Sequence, residues 1–227
     1  MILDCFLGLA FVLAGAALTF NLDRLLALFH QDHYEHAVVI DAGSTGSRVL
    51  AFTFKEDKQN RMVLVDELWK QVKPGLSSFA LEPFKAGESV LELVDAAKQR
   101  IPEKYWSFTP ITLKATAGLR LLPKDQSEAI INEVTAVLQK SGFKPDPNHL
   151  IEVMNPMEEG LFAWFTVNYL LGAFEPSKQV WTSAVTLDLG GGSTQITFAP
   201  KKLPVEGLVG RKHFTHNVDI IRGQPLK

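Results

Sequence analysis

The chain has 227 residues, 46% hydrophobic and 21% charged, with a net charge of −2. That length and apolar content suit one large domain or two small ones with a buried core, and they exclude a disordered chain. The near-neutral balance leaves no global basic field for a nucleic-acid backbone, and a single cysteine, Cys5, excludes a disulfide scaffold or a zinc finger.

In chain order, residues 5–22 (CFLGLAFVLAGAALTFNL) carry no charge and are bounded by Asp4 and Asp23. Eighteen uncharged residues lie at the lower limit for a membrane span. Ala14-Gly15-Ala16 offers a small-residue cleavage site. The run, within segment 1–22, is read as a signal peptide or a membrane anchor rather than a buried core helix. Either places the rest of the chain in the secretory pathway. Residues 23–36 read as a connecting stem.

From residue 37 onward the pattern is α/β. Ala37–Asp41 is a short apolar strand, and Arg48–Phe54 and Met62–Leu68 are further strands, together an antiparallel meander. Ser77–Glu88, with Pro83 and Gly87, reads as loop. Val90, Val94, Ala97 and Ile101 recur at helical spacing over 88–101, and Pro102 stops that run. Ile111–Ala115 is a strand. The spacing of Ile130, Val134, Val137 and Leu138 predicts a helix over 126–140, with Asp125 and Glu128 as a capping arrangement and Gly142 as a stop. Leu150–Met154 and Val185–Leu189 are strands, and Glu158–Leu171 is apolar enough for a buried helix. Trp164 and Phe165, within it, are expected to pack in the core.

Two turns resemble each other. Asp41-Ala42-Gly43-Ser44-Thr45-Gly46-Ser47-Arg48 and Asp188-Leu189-Gly190-Gly191-Gly192-Ser193-Thr194-Gln195 both start from an Asp at the end of an apolar strand and reach Ser-Thr through glycine. Glycines let backbone N–H groups point into one concavity, hydroxyls add donors, and the concavity suits phosphate. The Asp is placed to hold a hydrated divalent cation. Neither turn fits the Walker or dinucleotide spacing. The second copy, 147 positions on, argues against two ordinary hairpins.

The pair of turns resembles the actin and hexokinase superfamily. Within it, 39–48 (VIDAGSTGSR), 114–121 (KATAGLRL), 158–164 (EEGLFAW) and 187–195 (LDLGGGSTQ) resemble four ordered motifs of the apyrases, the nucleoside triphosphate diphosphohydrolases. Pro74-Gly75-Leu76-Ser77 and the stretch from Ile101 to Arg120 look like the nucleoside-diphosphatase branch. The resemblance implies a ribonuclease-H-like first lobe over 37–155 and the start of a second lobe over 156–200. It also implies that this chain holds only part of that second lobe. Residues 201–227, with six Lys or Arg against two acids, do not resemble the family and are read as an atypical tail.

The same resemblance implies site roles. Glu159 corresponds to the catalytic base, with Glu158 serving the helix start. Ser193 corresponds to the residue that hydrogen-bonds the attacking water. Gln195 corresponds to a further contact on the nucleophile or metal side. Thr116 corresponds to an active-site threonine. Asp41 and Asp188 hold Mg²⁺ or Ca²⁺ through water. Ser44, Thr45, Gly46, Ser47 and Arg48 form one phosphate loop, and Gly190, Gly191 and Gly192, with Ser193 and Gln195, form the other. Arg120 is left between a surface charge and a site residue. Pro156 stands where the family usually has glycine. The implied activity is metal-dependent hydrolysis of the terminal phosphate of nucleoside diphosphates, or of triphosphates, in the endoplasmic reticulum, Golgi or exterior. The alternatives are an inactive chain that binds nucleotide or a partner, and an exopolyphosphatase-like relative. No nucleic-acid partner is expected, a membrane is met only through residues 5–22, and oligomeric state is left open.

Overall fold

In the computed structural model, residues 33–174, 177 and 182–201 are described. The segment 5–22 and almost all of the tail lie outside them. Among the described residues no helix is long and apolar enough to cross a membrane.

The strands of the first sheet are β1 (Tyr34–Ala42), β2 (Ser47–Glu56), β3 (Met62–Val72), β4 (Pro110–Ala115), β5 (Lys144–Pro145) and β6 (Ile151–Val153). Their order is β3-β2-β1-β4, and both β5 and β6 pair along the far edge of β4. β2 and β3 run antiparallel, with a bulge at Thr53/Phe54, and β1 runs parallel to β4 with Val38 opposite Ile111 and Ala42 opposite Ala115. The chain enters β1 at Tyr34, inside the segment read as a stem. β1 and β4 alternate strictly, so that Val38, Ile40, Ala42, Ile111, Leu113 and Ala115 are buried on one face.

Helix α1 (Pro83–Arg100) and helix α3 (Lys124–Gln139) close that face, contributing Val90, Leu93, Val94, Ala97, Ile130, Val134 and Leu138 to the core. The expectation of a loop over Ser77–Glu88 is corrected. A 3₁₀ turn at Leu76–Phe79 is followed, after Ala80–Glu82, by α1, with Pro83 in its first turn. Proline suits that position because its fixed φ matches the helix and its missing N–H is not needed there. The capping expected from Asp125 and Glu128 is also corrected. Pro123 precedes the first turn of α3, and no side chain caps it. Gly142 does follow this helix with a φ of +86°, a left-handed conformation that favours glycine.

A short helix, α2 (Ala117–Arg120), leaves the end of β4. Beyond β6, helix α4 (Pro156–Leu170) packs on a two-stranded sheet of β7 (Thr186–Leu189) and β8 (Thr194–Thr197). The buried helix expected here is only half buried. Glu159, Gly160, Trp164 and Asn168 are covered, whereas Phe162, Phe165, Tyr169 and Leu170 are exposed. The reason is the thin layer: two strands cover one stripe of α4. Phe165 therefore stacks on Phe174 and Tyr169 at the surface instead of entering the core.

His36 gives a pH test of the first sheet. Its ring is buried, bonds Thr53 Oγ1 through Nδ1 at 3.0 Å and lies against Tyr105. Burial holds its pKa below the ordinary histidine value of 6.5. The unfolded chain therefore takes up this proton at higher pH than the folded one. Stability should fall as pH drops from about 7 toward 5, with the loss beginning at the unfolded value. His36→Phe should flatten that part of a urea-midpoint against pH curve.

Candidate active site

Four segments meet at Ser44. A Cβ added to Gly75 would stand 2.4 Å from the Ser44 carbonyl oxygen and 2.6 Å from that of Gly43. One on Gly118 would lie 3.0 Å from Ser44 Cα, and one on Gly191 would lie 2.6 Å from Ser44 Oγ and 2.8 Å from Thr45 Cγ2. A Cβ on Gly192 would approach that of Ala117 to 2.9 Å. The segment after Pro74 and the start of α2 thus pack on the backbone of the β1–β2 loop, and the β7–β8 loop packs on the side chains of Ser44, Thr45 and Ala117. The two similar turns, far apart in sequence, touch.

The β1–β2 loop carries its own ion pair: Arg48 Nη1 donates to Asp41 Oδ2 at 2.9 Å, both groups partly exposed. The two residues expected to serve phosphate and metal here neutralise each other. Ser47 is different from its neighbours. It is fully buried on the same face of β2 as Val49 and Ala51, and its Oγ has no partner among the described residues. Thr116 stands at the N-terminal boundary of α2 without a side-chain capping bond, and its N–H donates to the Ala42 carbonyl at 3.2 Å.

Glu159 is brought to the same region by α4. Asn155 caps that helix, and Glu158 returns a bond to the Asn155 N–H, completing a capping box. Glu158 is thereby occupied at the helix start and Glu159, one residue on, turns inward. Pro156 occupies the first turn of α4, which its fixed φ suits.

Glu159 is 9% exposed. Its Oε1 accepts from Arg120 Nη1 at 2.6 Å, and its Oε2 accepts from Ser193 Oγ at 3.3 Å and Gln195 Nε2 at 3.2 Å. Gln195 also donates to Ser193 Oγ at 2.9 Å, and its own Oε1 is buried with no partner among the described residues. A buried acceptor without a donor is costly, and a bound water is the usual remedy. Asp188 pairs with Gln195 across the β7–β8 ladder, so the two side chains share one face of the ribbon. Arg120, undecided from sequence, is the residue this geometry adds. Its partner is 39 positions away, beyond any local pattern, although it stands one helical turn after Thr116.

Among the described residues no three His, Cys, Asp or Glu side chains cluster to hold a metal. Asp41 and Asp188 offer one carboxylate each, the pattern for an ion that keeps most of its water and leans on substrate phosphates.

Comparison with known proteins fits this picture. Ectonucleoside triphosphate diphosphohydrolase 5 of Bos taurus is 44% identical over 170 residues, covering 73% of this chain and 39% of the relative. Nucleoside diphosphate phosphatase ENTPD5 of Homo sapiens is 42% identical over 167 residues, covering 73% and 38%. Ectonucleoside triphosphate diphosphohydrolase 6 of Mus musculus is 40% identical over 204 residues, covering 87% and 43%. The chain thus spans about two fifths of the length of the relatives it matches. In fold it is similar to a nucleoside triphosphate hydrolase of Neospora caninum, with a TM-score of 0.56 at 18% identity, covering 85% of this chain and 44% of that one. The model of the GDA1/CD39 (nucleoside phosphatase) family matches residues 27–215. That match runs into the segment 201–227, which sequence reading had set outside the family. With 189 of its residues matched, the chain belongs to the GDA1/CD39 nucleoside phosphatase family.

Proposed function

We propose that the chain hydrolyses the terminal phosphate of nucleoside diphosphates by direct attack of water. The observation that carries this is the buried carboxylate of Glu159, bonded to Ser193 and Gln195 beside two glycine loops in contact. The backbone N–H groups of 43–48 and 191–193 bind the non-bridging oxygens of the phosphates. Arg48 leaves Asp41 for the phosphate, which frees the Asp41 carboxylate. Ser193 and Gln195 orient the water, and Glu159 takes its proton as the oxygen attacks the terminal phosphorus. The bond to the bridging oxygen breaks, releasing phosphate and a nucleoside monophosphate. Asp41 and Asp188 would hold Mg²⁺ or Ca²⁺ through water, and such an ion offsets charge on the phosphate oxygens in the transition state. The names of its relatives support a nucleotide substrate, and the apolar run at 5–22 supports a secretory-pathway location.

A second reading is a chain that binds nucleotide without turning it over. It is favoured by the Arg48–Asp41 ion pair, which occupies a carboxylate that a metal would need.

Phosphate release from UDP or GDP by the full chain, with Mg²⁺ or Ca²⁺ and then with a chelator, separates the two. Release that stops on chelation is the expected result. Nucleotide-induced thermal stabilisation without release supports the second reading. Release from long polyphosphate in preference to UDP contradicts both.

A further inference from the structure

Arg120 is tied on both sides of the junction that delivers Glu159. Its Nη1 donates to the Met154 carbonyl, just after β6, and to Glu159 Oε1 at 2.6 Å in the first turns of α4. Between these two acceptors lie Asn155, which caps the helix, and Pro156, which opens it. Arg120 itself ends α2, whose Ala117 and Gly118 pack against Gly192 and Ser44 of the two loops. One side chain therefore connects the loop contact to the start of α4. The pair is mostly dry: the Arg120 side chain is 25% exposed and that of Glu159 8%.

We propose that Arg120 is the positioning residue for Glu159, resting on the hydrolase function above. With Oε1 held by the guanidinium, the carboxylate cannot rotate freely, and Oε2 stays directed at Ser193 and Gln195. Oε2 is then the oxygen that receives the proton of the attacking water. The guanidinium also offsets the desolvation of a buried carboxylate, since an ionised group in such a place needs a charged partner. Arg120 bonds the Met154 carbonyl and Glu159 and acts through Glu159. Lysine keeps the charge but offers a flexible point charge in place of a planar fork, so it should restore the clamp only in part.

The test uses the full chain with UDP and Mg²⁺, as wild type, Arg120→Ala, Arg120→Lys, Glu159→Gln and the Arg120→Ala/Glu159→Gln double variant. Arg120→Ala should lower kcat by about 10- to 100-fold with KM within about twofold, and Arg120→Lys should recover part of the loss. The double variant should be no slower than Glu159→Gln alone, because a residue that works through another adds nothing once that other is gone. A raised KM at unchanged kcat makes Arg120 a phosphate ligand and overturns the proposal, as does a double variant slowed by the product of both losses. Should Arg120→Ala fail to fold, Arg120→Lys carries the same comparison. Wild type, Arg120→Ala, Glu159→Gln and the double variant are also unfolded in urea. Additive destabilisation there rejects the Arg120–Glu159 clamp even in an active enzyme. Coupled destabilisation without any phosphate release rejects the hydrolase function and leaves the clamp standing as a structural pair.

Discussion

Replacing Glu159 with Gln should reduce phosphate release from UDP by about 10²- to 10⁴-fold, the span typical for losing a positioned general base. The substitution keeps the length and planarity of the side chain but leaves one acceptor oxygen where there were two, so either Arg120 or the Ser193–Gln195 pair meets an NH2 donor. The negative charge and the capacity to accept a proton are both removed. Nucleotide binding, read as thermal stabilisation, should persist because Glu159 belongs to α4 and not to either loop. The fold should be somewhat less stable, since Arg120 then faces a neutral amide in a mostly buried site. Glu158→Gln is the matched control. Its carboxylate is spent on the Asn155 N–H, and an amide oxygen can accept the same bond. Unchanged turnover in Glu159→Gln would show that the water is activated elsewhere.

Gly75→Ala should have the largest effect on the loops themselves. The added Cβ would meet two carbonyl oxygens and one carbonyl carbon of Gly43 and Ser44 within 2.7 Å. These are backbone atoms, so no rotamer change relieves the clash and the β1–β2 loop must move. Overpacking of this kind costs about 1–3 kcal/mol, visible as a lower urea midpoint at unchanged slope. Because Ser44 is also what Gly118 and Gly191 rest on, the shift should weaken nucleotide binding as well as stability. Gly87→Ala serves as contrast. Its Cβ would find Val137 Cγ2 at 3.5 Å, an ordinary contact, within helix α1. Alanine is the better helix former by about 0.5–1 kcal/mol, so that variant should be neutral or more stable and leave nucleotide binding alone.

The elements legible in the sequence are those whose signal is local. Val38 and Ile40 alternate, Val90, Val94 and Ala97 share a helical face, and each asserts its place without help from the rest of the chain. A loop is expected before α1 because proline breaks a helix interior, whereas in a first turn, where Pro83 stands, it starts one. Helix α4 was read as buried because its residues are apolar on nearly every side. Whether such a helix is covered depends on how many layers surround it, which periodicity cannot express. For the site, the Gly-Ser-Thr turns stood out because each is contiguous. That they touch through Gly191 and Ser44 is a tertiary fact that the repeated pattern only suggested. Gly75, seen in the sequence as part of a short family-like stretch, has a packing role that only the fold displays. Arg120 was undecided for the same reason. A charged residue at the end of a strand-to-helix turn looks like any surface arginine until its partner is placed beside it.

Hydrolysis as proposed requires two glycine loops to close on one phosphate chain. Hydrogen exchange of the full chain, with and without Mg²⁺ and a non-hydrolysable nucleoside diphosphate analogue, tests for that closure. Amides of 43–48 and of 191–193 should gain protection together, at the same ligand concentration. Protection of one loop alone, or of neither, would contradict a shared phosphate site.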